Sequence, residues 1–172
     1  ALCAEMRLRL RGRWQHPQTI FIGGGTPTAL SADELRTLLQ TLARCVDLAG
    51  VAEFTVEANP GTVDQEKLAV LRNGGVNRLS FGVQSFDDSL LQTLGRIHTA
   101  QEAQEAVQLA REAGFTNVNL DLMYGLPGQS EAQWRATIAQ AVALGPQHLS
   151  LYQLIPEEGT AIVRRMDAGL LP

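Results

Sequence analysis

Apolar and polar positions along the chain follow two alternating rhythms. Five short runs, Thr19–Ile22, 53–57, 78–83, 118–123 and His148–Gln153, are rich in β-favouring residues and predict strands. Between them, apolar residues recur at helical spacing. Leu35, Leu38, Leu39 and Leu42 stand at i, i+3, i+4 and i+7. Leu68 with Leu71, then Ala103, Ala106, Val107 and Ala110, then Trp134, Ile138, Ala141 and Val142 make comparable stripes. A further helix is expected over 1–11.

Each of the four stripes is preceded by a helix-start pattern. Ser31-x-x-Glu34, Thr62-x-x-Gln65, Thr99-x-x-Glu102 and Ser130-x-x-Gln133 match the capping box, in which two side chains satisfy each other's orphan backbone N–H groups. Gly74-Gly75, Gly114 and Gly145-Pro146 stand where three of these helices should stop. Strand and helix therefore alternate as repeated βα units, which makes the chain an α/β protein with a parallel sheet. Such units build either an open doubly wound sheet or part of a (βα) barrel. The strand ends decide. Gly23-Gly24-Gly25-Thr26, Glu57-Ala58-Asn59-Pro60, Gln84-Ser85, Asp121 with Tyr124-Gly125, and Gln153 put polar groups after nearly every strand. A doubly wound sheet concentrates ligand groups at one switch point, whereas a barrel mouth draws them from all strands. A partial TIM-like barrel is the expectation.

Composition adds bounds. The chain has 172 residues, enough for one domain with a good core, and 45% of them are hydrophobic. A net charge of −4 gives no electrostatic footprint for nucleic acid. Arg7, Arg9, Arg11 and Arg13 form one local basic run, which reads as a solvated helix face. No apolar run reaches transmembrane length and no signal peptide precedes the first strand, although association with a membrane stays open. Cys3 and Cys45 are far apart, which fits a reducing cytoplasm and offers no cysteine cluster for a metal. The chain opens without Met inside a helix and ends at Leu170-Leu171-Pro172, so residues 1–172 read as a single domain truncated at both ends.

The candidate chemistry centres on Ile20-Phe21-Ile22-Gly23-Gly24-Gly25-Thr26-Pro27-Thr28. Three glycines bare the backbone at a strand end, so a ligand can lie against its N–H and C=O groups. The turn is neither a P-loop, since no Gly-Lys-Ser/Thr follows, nor a dinucleotide fingerprint. Glu57 offers a carboxylate for hydroxyls or an ammonium group. Gly82, inside the third strand, suggests close approach by something bulky, and Gln84 ends that strand. Asp121 is an acid in an apolar strand and needs a partner, either a cationic or hydroxyl-bearing ligand or Arg96. His98, beside a helix-capping threonine, reads as structural. No Ser-His-Asp order, paired glutamates or His-x-x-x-His pair is present, so the chemistry must come from a cofactor or from further sequence.

Six ordered motifs bring in a resemblance. They are Gly23-Gly24-Gly25-Thr26-Pro27, Glu57-Ala58-Asn59-Pro60-Gly61-Thr62, Gly82-Val83-Gln84-Ser85-Phe86, Leu94-Gly95-Arg96-Ile97-His98, the run from Asn119 to Pro127, and Ser150-Leu151-Tyr152-Gln153-Leu154. Together they resemble the radical S-adenosylmethionine proteins related to oxygen-independent coproporphyrinogen III oxidase, with the haem-chaperone (HemW) branch the nearer match. The resemblance runs from about Ile20 to Pro172. It implies a partial (βα) barrel with S-adenosylmethionine across its mouth, and a haem chaperone that passes haem to acceptor proteins. The other implied activity is oxidative decarboxylation of a porphyrinogen. It further implies that Gly24, Gly25 and Thr26 meet the methionine end of the cofactor through backbone groups, and that Glu57 holds a ribose or amino group. Gln84, Arg96 and Asp121 would line the same cavity, with Met123 and the Leu154-Ile155 edge flanking the adenine or a second site. The family's Cys-x-x-x-Cys-x-x-Cys loop for a 4Fe-4S cluster has no match here, so its ligands are expected upstream of Ala1.

Overall fold

The computed structural model describes residues 1–11 and 15–172. The last member of the basic run, Arg13, lies outside these residues. Chain order is α1 (Leu2–Arg9), β1 (Thr19–Ile22), α2 (Ala32–Ala43), β2 (Glu53–Ala58), α3 (Gln65–Asn73), β3 (Arg78–Gln84), α4 (Asp88–Thr93), α5 (Ala100–Glu112), β4 (Asn117–Tyr124), α6 (Glu131–Ala143), β5 (His148–Gln153) and α7 (Ala161–Asp167). All four strand pairs are parallel, and the strands stand in the sheet in the order β1-β2-β3-β4-β5. Spatial order equals chain order, with no switch point. That is the order of a barrel wall, not of a doubly wound sheet.

Alternation along the strands assigns the two faces. Phe54, Val56 and Ala58 of β2, Leu79, Phe81 and Val83 of β3, and Val118, Leu120 and Leu122 of β4 share one core with Leu35 and Leu39, Leu68 and Leu71, Ala103, Ala106, Val107 and Ala110, and Ala141. Helices α2, α3, α5 and α6 therefore cover one face of the sheet. Each buried Leu, Val or Phe contributes about 1.5–3 kcal/mol, so this layer is the main source of stability. The other face is polar. Register places Thr55 beside Arg78, Glu57 beside Ser80, Ser80 beside Asn119, and Asp121 between Gly82 and Ser150.

Three of the four expected capping boxes form, at Ser31/Glu34, Thr99/Glu102 and Ser130/Gln133. The Thr62 box does not. Asp64 caps α3, its carboxylate accepting the Lys67 N–H at 2.8 Å. Thr62 ends a short 3₁₀ turn, Pro60–Thr62, and its hydroxyl donates to the Asn59 carbonyl at 2.8 Å. A carboxylate two residues on thus replaces a hydroxyl already engaged in the turn. The α6 stripe also shifts. Thr137 and Ala141 are its buried residues, while Val142 is 60% exposed. Thr137 reaches inward because its hydroxyl meets that of Ser85. The short helices α4 and α7 lack a long apolar stripe and were not anticipated. Helix α1 is shorter than expected and buries none of its residues. Its arginines are partly engaged, Arg7 donating to the Thr41 hydroxyl at 3.3 Å and Arg9 pairing with Glu5.

Candidate functional site

The ends of β1, β2, β3 and β4 surround a small polar cavity of about 180 Å³. A larger groove of about 560 Å³ lies on the outer helical layer between α2 and α3. It is remote from the C-terminal strand ends where βα folds place their chemistry, and its rim carries the Arg36–Glu66 pair at 3.7 Å. The cavity is the candidate site.

The three glycines of the first turn do different jobs. A Cβ on Gly23 would stand 2.4 Å from Phe21 Cε1 and 2.6 Å from the Glu57 Cδ, so this glycine makes room for the protein itself. Gly24 has φ +85°, a left-handed conformation that glycine adopts without strain. Its N–H donates to Glu57 Oε2 at 3.0 Å. Gly25 alone of the three lines the cavity, and a Cβ there would meet nothing within 4 Å. The bare backbone expected along the whole turn is thus available chiefly at Gly25, since the Gly24 N–H is committed to Glu57 and the Thr26 carbonyl accepts the Ala29 N–H at 2.9 Å.

A second set of contacts ties this turn to the loop after β2. The buried Thr28 hydroxyl meets that of Thr62 at 2.6 Å and accepts the Asn59 N–H at 3.3 Å. Lys67 Nζ donates to the carbonyls of Thr28 and Thr62, both at 2.9 Å. Asn59 is held at the cavity wall, and its buried Oδ1 has no partner among the described residues.

The third side of the cavity is β3. Here a bulge sets Val83 and Gln84 against Leu122, and Gln84 takes φ 68°. Gly82 is small because bulky groups approach it closely, as expected. A Cβ there would lie 2.8 Å from Arg96 Nη2 and 3.1 Å from Gln84 Nε2, so the bulky neighbours are the protein's own side chains. Arg96 Nη2 donates to the Gly82 carbonyl at 2.8 Å. Its Nε is buried and has no partner among the described residues. Burial pulls the Arg96 pKa below the usual arginine value, and the nearby Asp121 charge opposes that shift.

Asp121 has hydrogen-bond partners within the sheet as well. Its Oδ2 accepts from the Ser80 hydroxyl at 3.0 Å and its Oδ1 from Asn119 Nδ2 at 2.8 Å. Asn119 Nδ2 also donates to Ser80 Oγ at 2.7 Å, and Asn119 Oδ1 accepts from Ser150 Oγ at 3.1 Å and contacts His148 Nδ1. The expected interaction with Arg96 is one of charge, the Asp121 carboxylate favouring the charged guanidinium.

Gly25, Thr26, Glu57, Gln84, Arg96 and Asp121 converge on the cavity, with Gly24 behind Glu57. Met123 and Ile155 do not line it. Met123 pairs with Tyr152 in the ladder, and Ile155, beyond β5, is 74% exposed. Asn59, one of the polar strand-end residues, stands at the wall as expected, whereas Ser80 at the wall and Asn119 behind it were missed by sequence reasoning. Their signal was the strict alternation Arg78-Leu79-Ser80-Phe81-Gly82 and Asn117-Val118-Asn119-Leu120-Asp121. Among the described residues, no group of three or more His, Cys, Asp or Glu comes together as a metal site, and no helix is long and apolar enough to cross a membrane.

The model of the Radical SAM superfamily matches residues 4–141. The chain belongs to the radical SAM superfamily. Membership of this superfamily implies S-adenosylmethionine and a 4Fe-4S cluster. The donor set fits the first of these. Unpartnered Arg96 Nε is a donor and unpartnered Asn59 Oδ1 an acceptor, and the carboxylates of Glu57 and Asp121 flank the open face of Gly25. A zwitterion with a cationic sulfonium and hydroxyls can use all of them. The described residues offer no donor set for the cluster, and no role below is routed through it.

Similar proteins include the heme chaperone HemW of Bacillus subtilis, 46% identical over 155 residues, covering 90% of this chain and 41% of the relative. The heme chaperone HemW of Escherichia coli is 50% identical over 143 residues, covering 83% of this chain and 38% of the relative. Among solved structures, coproporphyrinogen III oxidase (HemN) of Escherichia coli, a radical SAM enzyme, superposes with a TM-score of 0.80 at 28% identity. That match covers 98% of this chain and 44% of the oxidase. The chain thus spans about two fifths of the length of the curated relatives it matches.

Proposed function

We propose that this chain is the cofactor-binding core of a haem chaperone of the HemW type, which binds S-adenosylmethionine at the cavity and passes haem to acceptor proteins. The observation that carries the cofactor assignment is that Arg96 and Asn59, each with a buried polar atom unpartnered among the described residues (Nε and Oδ1), line one cavity with two carboxylates and the open backbone of Gly25. Buried polar atoms without partners are costly, so a site that leaves one donor and one acceptor unmet is built for a ligand that meets both. The likeness to HemW chaperones supports the haem role. In this reading Gly25 and Thr26 present backbone groups to the methionine end. Glu57, positioned by the Gly24 N–H, and Asp121, positioned by Ser80 and Asn119, set the negative field around the cationic centre. Gln84 and Arg96 close the side over β3. S-adenosylmethionine supplies radical chemistry when bound at an iron-sulfur cluster, and the residues of this chain bind and orient it.

A haem titration of the complete protein tests the chaperone role. A Soret shift with a stable complex is expected, and its absence overturns the reading. The superposition on coproporphyrinogen III oxidase favours a second reading, radical decarboxylation of porphyrinogen propionates. Anaerobic incubation with coproporphyrinogen III decides it, since an oxidase forms a decarboxylated product and a chaperone leaves the substrate intact.

A further inference from the structure

The loop between α4 and α5 does more than deliver Arg96. Two of its side chains donate to successive carbonyls of β3. Arg96 Nη2 reaches the Gly82 carbonyl at 2.8 Å, and His98 Nε2 reaches the Val83 carbonyl at 3.1 Å. The Val83 carbonyl also accepts the Ser85 N–H at 2.9 Å. These carbonyls flank the bulge, and the residue that follows, Gln84, is the single non-glycine residue with a left-handed backbone among the described residues. A side chain tolerates that conformation only where the surroundings over-determine it.

His98 is 3% exposed. A carbonyl can only accept, so the ring carries its hydrogen on Nε2, and Nδ1 has no partner among the described residues. A histidine that merely filled the core would not need this donor. We propose that His98 is a positioning residue. By fixing the Val83 carbonyl it holds the bulge, and the bulge sends the Gln84 amide over Gly82 to the cavity wall instead of along the strand. The inference rests on the reading that the cavity takes S-adenosylmethionine. Without the clamp the segment relaxes toward a regular strand and Gln84 leaves the wall.

A double-mutant cycle on the complete protein tests it, with S-adenosylmethionine affinity measured by calorimetry and folding checked by thermal melts. His98→Gln places an amide N–H close to the position of Nε2, whereas His98→Asn is too short to reach the Val83 carbonyl. Gln84→Gly removes the amide and suits the left-handed backbone. We expect H98N and Q84G each to weaken binding about tenfold, as loss of one oriented polar contact does. We expect H98Q to stay within about threefold of wild type, and H98N to cost nothing more in the Q84G background. Should H98N not fold, His98→Leu takes its place in the cycle. Unchanged affinity in the clampless variant, or a loss that adds in full to that of Q84G, overturns the inference. A wild-type protein that binds no S-adenosylmethionine overturns the cofactor reading and the inference with it.

Discussion

Gly24 and Glu57 are locked together: the Gly24 N–H donates to Glu57 Oε2 at 3.0 Å, across the first two strands. The bond orients a carboxylate that would otherwise swing freely at a strand end, and it fixes the turn that presents Gly25. Gly23 makes the approach possible, since any Cβ there would fall within 2.7 Å of the same carboxylate oxygen.

Gly23→Ala and Gly25→Ala should therefore separate. The first must displace Glu57 or Phe21, which overpacks the turn and costs about 1–3 kcal/mol. The second has open space around it and should leave stability within about 0.5 kcal/mol while blocking the ligand face. Thermal melts and S-adenosylmethionine binding on the complete protein check both. Equal stability losses in the two variants would contradict the division of labour.

Lys67 bridges two loops through the carbonyls of Thr28 and Thr62. Lys67→Met keeps the aliphatic stem and removes both bonds. A loss of about 1–3 kcal/mol in urea denaturation is expected, because charge-assisted bonds to a half-buried group exceed neutral ones. A midpoint unchanged from wild type would show that the bridge is dispensable.

Asp64, and not Thr62, caps α3. Asp64→Ala should cost about 1 kcal/mol, in the range of a lost helix cap. The same substitution at Ser31 or Thr99 should cost a similar amount. Thr62→Ala should act instead through the turn, freeing the Asn59 carbonyl and the Thr28 hydroxyl, so its effect should be non-additive with Thr28→Ala. Urea midpoints of the single and double variants measure this.

Burial holds the His98 pKa below its ordinary value. The Val83 carbonyl and the carboxylates of Glu102 and Asp88 oppose that shift, and the Arg96 charge adds to it. The folded state therefore binds the proton less well than the unfolded chain. Stability should be full above about pH 6.5, the ordinary histidine value, and fall as pH drops through the window below it toward the folded pKa. His98→Gln should flatten that slope in melting temperatures recorded from pH 7.5 to 5. Below about pH 4 a second loss should follow, because hydrogen bonds to Ser89 and Gln133 hold the Asp87 pKa down and stabilise the ionised form.

Strands β1 and β5 each pair with one neighbour, and Phe21 and Tyr152 on their polar-sheet face are 61% and 55% exposed. The 172-residue chain by itself should associate through these edges and melt broadly. A sharp cooperative transition from a monomer in analytical ultracentrifugation would refute that.

The fold is legible in the sequence where local chemistry acts alone. Hydrophobic period and three capping boxes place the main helices, because a cap is settled within four residues. All five strands lie where short runs of β-favouring residues put them, with ends displaced by a residue at most. The polar strand ends also pointed to a barrel, and the sequential strand order bears that out. Local chemistry failed at Thr62, whose hydroxyl is already engaged by the Asn59 carbonyl within the turn and by the Thr28 hydroxyl across the loop. The polar alternation in β3 and β4 is present in the sequence, but strands that are apolar as a whole mask which polar residues share a face.

What the sequence determined by itself is a set of βα units with ligand-fixing residues at their C-terminal ends, since turns, caps and alternation are contacts between near neighbours. What only tertiary structure decided is which of those residues share a cavity and what each is for. Gly23 and Gly82 are glycines because Glu57 and Arg96, 34 and 14 residues away in the chain, need the space. Asp121 is held by Ser80 and Asn119 because parallel register sets them side by side. Met123 and Ile155 fall outside because strand length and the end of β5 carry them past the wall. Each of these outcomes depends on distances between strands, which no local pattern of residues encodes.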